Sequence, residues 1–382
     1  MNQYLFFLGR NSQLSLLELE SVFDMNFKGV CKGVVLCESN EELEKKQDLL
    51  GGTIKIAKVF SKEEEIDIDD IIISFLIEKN KENKKIIIAL NIFGKEKGKE
   101  SQFLRNHLLK IKKAVNFPLR FCNNNFTNVS SVVTRKEIVN KGNIEINIIN
   151  TRNDRYILAE TLSCQNINAY SLRDYSKPFR DAKIGMLPPK LAQIMINFAG
   201  KTKTIWDPFC GMGTLPMEAL LMNKKVIASD ISEEMTEATI KNIAWLKNKF
   251  KLDLNLDDAL EIFKHDATEF IDKKVDAVIT EGYLGEPKRQ PPLKKEVAKT
   301  DELLSELYAP FFQNMKKNGI KTVIICLPVY KMEDGLGFME KTLESILQSG
   351  YNLQALSEKR RKSVIYSRED QFVFREIFKF EL

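Results

Sequence analysis

Apolar residues fall along this chain in two rhythms. In the first 165 residues, short apolar runs at 4–8, 34–37, 55–59, 85–90, 145–149 and 155–159 predict strands. Between them, leucines and isoleucines at helical spacing predict helices over 41–50, 69–79 and 101–115, and a further one that Ser15 caps and that runs to Phe23. These make two successive α+β units, each too short for a nucleotide fold. From residue 190 the rhythm changes. Helices at 190–199 and 215–222 alternate with apolar strands at 204–206, 225–229, 260–264, 275–279 and 320–327, the mark of a parallel α/β sheet. A hairpin at 361–367 and 372–380 closes it, for seven strands in all. The intervening stretch 166–189 is rich in Asp, Arg, Lys and Pro and reads as a linker.

Composition narrows the class. With 382 residues, 43% hydrophobic and 29% charged, the chain has room for about two or three domains with real cores. No window approaches the ~18 uninterrupted apolar residues of a membrane span. Residues 1–7 lack the basic start and cleavage site of a secretory signal. A soluble, cytoplasmic protein is expected. Six scattered cysteines form no C-x-x-C pair, and the two histidines, His107 and His265, neighbour neither a cysteine nor each other. Metal chemistry and histidine acid–base catalysis are therefore disfavoured.

Charge is unevenly spread. Between Lys79 and Lys113, eleven basic residues stand against three acids, a local balance of +8 in a chain whose net charge is +5. Such a stretch suits a polyanion, although a solvated lysine-rich face fits the same count.

The most informative segment is Asp207-Pro208-Phe209-Cys210-Gly211-Met212-Gly213-Thr214, set between a short strand and a helix. Its glycines permit a tight turn and close backbone approach to a ligand. Pro216 occupies the position of the third glycine of a dinucleotide-binding loop, which disfavours a pyrophosphate cradle. The acid that opens the loop suits a ligand with an ammonium group, as S-adenosylmethionine presents. Asp230, 23 residues on and followed by Ile231, ends a second strand where a carboxylate can take ribose hydroxyls. Asp266, with Ala267, follows a third strand where an acid can accept an adenine amino group. A fourth strand runs into Thr280-Glu281-Gly282-Tyr283.

The segment 207–214 resembles the first motif of class I S-adenosylmethionine-dependent methyltransferases, specifically the THUMP-containing RNA guanine-N2-methyltransferases. Residues 7–19 resemble the amino-terminal ferredoxin-like module of the same group, and 180–190 resemble the segment entering its catalytic domain. The resemblance implies four parts: a ferredoxin-like module (1–65), a THUMP RNA-binding domain (66–162), a linker (163–189) and a Rossmann-like seven-stranded methyltransferase domain (190–382). It implies a tRNA substrate, methylated on the N2 amine of a guanosine, with position 10 expected. THUMP domains of the family grip the tRNA acceptor end, which assigns RNA contacts to Lys95, Lys97, Lys99, Arg105 and Lys110. Cofactor contacts are expected from Asp207, Pro208, Phe209, Gly211, Gly213, Thr214, Asp230, Ile231, Asp266, Ala267 and Thr280.

One departure stands out. The family's fourth motif is Asp/Asn-Pro-Pro-Tyr/Phe, whereas this chain has Glu281-Gly282-Tyr283. Glu281 is expected to accept the amine's hydrogen bonds and Tyr283 to stack on the base, on a loop less preorganised without its prolines. Two other readings fit the same departure: an RNA-binding protein with a retained cofactor pocket but weak catalysis, and an amino-methylating enzyme for ribosomal RNA or adenine N6.

Overall fold

Apolar runs bounded by charged turns become buried strands only when both faces are covered, and the computed structural model covers them in two sheets. It describes residues 1–63, 67–94, 98–151, 155–180, 186–253, 255–356 and 361–382. They divide into two units, Met1–Leu16 with Phe23–Ala169, and Leu17–Val22 with Tyr170–Leu382.

The first unit carries β1 (Asn2–Leu8), β2 (Lys28–Cys31), β3 (Val34–Ser39), β4 (Thr53–Glu63), β5 (Ile86–Phe93), β6 (Leu119–Phe121), β7 (Ile144–Asn150) and β8 (Tyr156–Cys164). One sheet in the order β2-β3-β1-β4-β8-β7-β5-β6 joins them. Both predicted α+β units therefore share it, through β4, which pairs with β1 on one side and β8 on the other. Helices Ile68–Lys79 and Glu100–Ala114 bury Ile72, Leu76, Leu104, Leu108 and Ile111 in one core with Ile88, Leu90 and Ile146. A buried Lys55–Glu145 pair, which Thr161 joins at 2.7 Å, ties β4 to β7 and β8.

Some local expectations shift. The first helix spans Ser12–Val22, and its start is held by Asn11, whose Oδ1 accepts from Leu14 N–H at 3.2 Å. Ser15 sits inside it, donating to the Asn11 carbonyl instead of capping. The helix expected over 41–50 is a 3₁₀ segment, Leu43–Leu49. The stretch 166–189 contains a helix, Ile167–Tyr175, whose Arg173 is buried. Strands β2 and β6 have four and three residues, too few to display alternation.

The second unit carries β9 (Thr204–Asp207), β10 (Lys225–Asp230), β11 (Leu260–Lys264), β12 (Ala277–Thr280), β13 (Thr322–Met332), β14 (Gly335–Gly337), β15 (Asn352–Gln354), β16 (Val364–Tyr366) and β17 (Val373–Glu381). The order is β11-β10-β9-β12-β13-β17-β15, with β14 on β13 and β16 on β17. All seven predicted strands are present, and the short β14 and β15 add to them. Strands β9 to β13 are mutually parallel, and β17 runs antiparallel along β13 from Thr322↔Glu381 to Tyr330↔Val373. Just before β12 begins at Ala277, Asp276 ties the chain to β9: its N–H donates to the Thr204 carbonyl at 2.9 Å, and its carboxylate accepts Lys203 and Thr204 N–H at 2.7 and 2.9 Å.

This is a Rossmann-like α/β sheet. From β9 the chain moves one way to β10 and β11, then returns to pair β12 on the other side of β9. At such a reversal the connections diverge and open a crevice beyond the carboxyl ends of the strands. Among the described residues, no helix is long and apolar enough to cross a membrane. Among them, too, no group of three or more His, Cys, Asp or Glu is placed to hold a metal ion.

Candidate functional site

At that reversal β9 ends in Asp207 and β12 runs into Glu281, and both line a cleft. Phe209, Gly211 and Thr214 line it as well, with Cys210, Met212, Leu215, Met235, Met186, Leu187 and Gly282. Five of the sequence-derived site residues thus meet at one place. Thr280 stands directly behind them, its hydroxyl donating to Asp207 Oδ1 at 2.7 Å.

The glycine turn is held from below by the helix Glu233–Phe250. Gly211 and Gly213 take φ of +50° and +77°, the left-handed region that favours glycine. A Cβ on Gly213 would lie 2.8 Å from the Thr239 methyl. Thr239 donates to the Gly211 carbonyl at 2.8 Å, and Asn242 donates to the Met212 carbonyl at 2.9 Å. Neither residue was singled out in the sequence, because each reads as an ordinary polar position on an amphipathic helix.

Asp230 and Asp266 stand at the neighbouring strand ends rather than in the cleft lining. Asp230 accepts Gly211 N–H and Ser232 N–H, both at 3.0 Å, so it shapes the turn. Asp266 accepts the Thr268 N–H and hydroxyl at 2.9 and 2.7 Å, and these bonds hold its carboxyl below its ordinary value. Ala267 is buried and Ile231 exposed.

Burial dominates the electrostatics of the cleft. Asp207 is buried without a cation, and desolvation pushes its carboxyl up to about 7, against the Thr280 and Phe209 hydrogen bonds. Glu281 is also raised by burial, and Arg375 opposes that rise. The Arg375 Nε donates to Glu281 Oε1, and its Nη2 reaches the Met186 carbonyl at 3.4 Å. Arg375 was not anticipated. Its signal was a charged pair, Arg375-Glu376, flanked by Phe374 and Ile377 and buried in the strand.

The loop after Glu281 is better held than its missing prolines suggest. Gly282 and Gly285 have φ of +65° and +81°, and a Cβ on either would lie 2.2 or 2.3 Å from the hydroxyl of Tyr308 or Tyr330. Tyr283 N–H donates to the Tyr308 hydroxyl at 2.9 Å, and the Tyr330 hydroxyl donates to the Leu284 carbonyl at 2.9 Å. Two tyrosines rooted in the core therefore clamp the backbone, and glycine lets it come that close. The Tyr283 ring is 44% exposed, while Phe209 packs edge-on against Tyr308 and Phe311.

The basic stretch of the first unit is a different matter. Lys95 and Lys97 lie outside the described residues. Lys99, Arg105 and Lys110 are exposed on or beside the helix Glu100–Ala114. Lys110 pairs with Asp69 at 3.1 Å, Lys79 pairs with Glu160 at 2.8 Å, and Lys84 pairs with Glu82. Part of the +8 balance is thus already met within the unit.

Residues 177–333 match the model of the UPF0020 family, described as an RMKL-like methyltransferase domain. The chain is similar to the tRNA (guanine(10)-N2)-dimethyltransferase of Methanothermobacter thermautotrophicus, at 30% identity over 46% of this chain and 47% of that one. It is also similar to the protein of that name from Methanocaldococcus jannaschii, at 32% identity over 37% and 38%. The matched stretches span less than half the length of these relatives. In fold, the chain resembles the crystal structure of TrmN from Thermus thermophilus, with a TM-score of 0.53 at 14% identity over 99% of both chains.

Proposed function

We propose that this chain, whose residues 177–333 match an RMKL-like methyltransferase domain, transfers a methyl group from S-adenosylmethionine to the N2 amine of a guanosine in tRNA, at position 10, in the cytoplasm. The observation that carries the reading is the pair of carboxylates, buried Asp207 and part-buried Glu281, facing one cleft at the reversal of a parallel sheet. A cleft walled by acids and lacking an opposing cation at Asp207 favours a cationic ligand, and the cofactor supplies an ammonium and a transferable methyl on a sulfonium. In this reading Asp207 holds the ammonium and the Gly211–Gly213 turn lets the ligand approach the backbone. Asp230 takes the ribose and Asp266 the adenine.

Methyl transfer is a direct displacement, so the protein's work is alignment and charge placement. A guanine amine is a weak nucleophile because its lone pair is delocalised into the ring. Arg375 engages Glu281 through Oε1, which leaves Oε2 to accept a hydrogen bond from the amine. That bond draws the nitrogen's lone pair out of conjugation and steadies the charge that develops on nitrogen. The tyrosine-clamped loop keeps the acceptor in line, and the exposed Tyr283 offers a stacking face for the base. Residues 1–65 and 66–162 serve as ferredoxin-like and THUMP modules that hold the RNA, with Lys99 and Arg105 as phosphate contacts. Incubation with labelled cofactor and unmodified total tRNA, followed by nucleoside analysis, should yield N2-methylated guanosine. Labelled adenosine instead, or no labelled nucleoside, would overturn the reading.

A further inference from the structure

Glu281 follows β12, and the cation that meets it stands on β17, two strands away across β13. Neighbouring strands lie about 4.8 Å apart, so the pair bridges about 10 Å and takes two long side chains. A glutamate reaches one methylene further than the Asp or Asn expected at this position, and arginine is the longest cation that can meet it. Arg375 is only 5% exposed and is held at two points: its Nε donates to Glu281 Oε1 and its Nη2 to the Met186 carbonyl at 3.4 Å. Glu281 lines the cleft with 19% of its side chain exposed. Its charge state decides what it can recognise. Burial favours the protonated acid, whose O–H would donate to a ring nitrogen; Arg375 opposes that, and Lys177 adds to the opposition more weakly. Among the described residues, Asp207, Tyr308 and Cys326 also interact electrostatically with Glu281, and none of them is a cation. An ionised carboxylate has about four lone-pair sites and no proton. Arg375 takes one site, and the rest accept only.

We propose that Arg375 is a positioning residue that selects the base: by fixing Glu281 as an acceptor-only group at the cleft, it admits a base edge with two adjacent N–H donors and rejects one whose ring nitrogen is an acceptor. The inference rests on the guanine-N2 reading and names what tells guanine from other amino-bearing purines. Guanine offers its N2 amine beside N1–H. Adenine and 2-aminopurine offer an amine beside an N1 lone pair, which the carboxylate repels.

Single-turnover methyl transfer to a tRNA carrying guanosine, and then 2-aminopurine, at the methylated position tests it, because 2-aminopurine keeps the amine and puts a lone pair in place of the N1–H. The unaltered chain should prefer guanosine by roughly 10- to 100-fold, the range for one well-paired base edge. Arg375→Met should slow guanosine transfer by about 10-fold and shrink that preference severalfold, and Arg375→Lys should recover part of both. In a Glu281→Gln background, Arg375→Met should cost less than about twofold more, since its effect runs through Glu281. Should Arg375→Met fail to fold, Glu281→Asp draws the carboxylate back from the guanidinium and should lose the same preference. Equal transfer to both bases by the unaltered chain, a preference that survives in folded Arg375→Met or in Glu281→Asp, or losses that add in the double variant would overturn the positioning role and leave the methyltransferase reading standing. An unaltered chain that methylates neither base overturns both.

Discussion

Two charged regions of this molecule look alike in sequence and differ in physical state. Asp207 and Glu281 are carboxylates set at the ends of buried strands, where water is excluded and desolvation raises both. The lysines and arginine along Glu100–Ala114 are solvated, and Lys110 already has Asp69 beside it. A charge buried without a full partner stores a large interaction for an incoming ligand, whereas an exposed one contributes through the sum of many weak contacts. The comparison teaches that charge density in a sequence says less about chemistry than the depth at which each charge is held.

The comparison breaks most decisively at Glu281. Glu281→Gln should lower methyl-transfer turnover by about 10²–10³-fold, the scale for removing one preorganised group from a transition state, with cofactor affinity changed by less than about threefold. Single-turnover assays beside calorimetry separate the two. Retained turnover would place Glu281 with ordinary buried ion pairs.

Asp207→Asn comes next, and pH sharpens it. Below about 7 the Asp207 carboxyl holds its proton and cannot meet an ammonium, so cofactor affinity should rise with pH through that value and flatten in Asp207→Asn. Stability of the unliganded protein runs the other way. A carboxyl raised in the folded state contributes stability that is fully present below its unfolded value of 3.8 and is lost as pH rises toward about 7. Asp207→Asn should therefore raise the Tm of the unliganded protein at pH 8 while weakening cofactor binding by roughly 10-fold or more.

A smaller effect is expected at the clamp. Tyr308→Phe removes the acceptor of the Tyr283 N–H but keeps the ring, so turnover should fall by about 5- to 10-fold, consistent with one lost hydrogen bond. Binding of S-adenosylhomocysteine should be unchanged, and a parallel loss of that binding would assign Tyr308 to general packing.

The smallest single-residue effects belong to the exposed helix. Lys99→Gln with Arg105→Gln should weaken tRNA binding a fewfold and reduce the salt slope by about one to two, measured by filter binding across salt concentrations. Lys110→Gln should leave that slope nearly untouched, because Asp69 already occupies the ammonium. Slopes in both variants equal to that of the unaltered chain would return the helix to a solvated face.

Legibility in the sequence followed length and locality. Short apolar runs, continuous as in Tyr4–Leu8 and Ile86–Leu90 or broken by polar residues as in β4, β7 and β17, located the long strands of both sheets, and the Asp207–Thr214 segment was legible as a ligand turn because strand, glycines and helix are contiguous. Four short strands, β2, β6, β14 and β15, left no periodicity to find, whereas the equally short β9, β12 and β16 were marked by their apolar residues and flanking elements. The Thr239, Asn242 and Tyr308 supports were illegible for another reason: on a helix, a polar or aromatic residue facing a loop looks like one facing water or core.

Sequence by itself determined the local level here: the change from α+β to alternating α/β, the glycine turn, and the acids that close β9 and β10. Those properties depend on residues a few positions apart, which is the range over which backbone conformation and one-sided burial operate. The tertiary structure alone decided which charges meet. Arg375 reaches Glu281 across 94 positions, Thr280 reaches Asp207 across 73, and Lys177 reaches Thr214 across 37. Coulombic and hydrogen-bond energies depend on distance through space and on the water excluded between the groups, and neither quantity exists until β9, β12 and β17 are paired in one sheet.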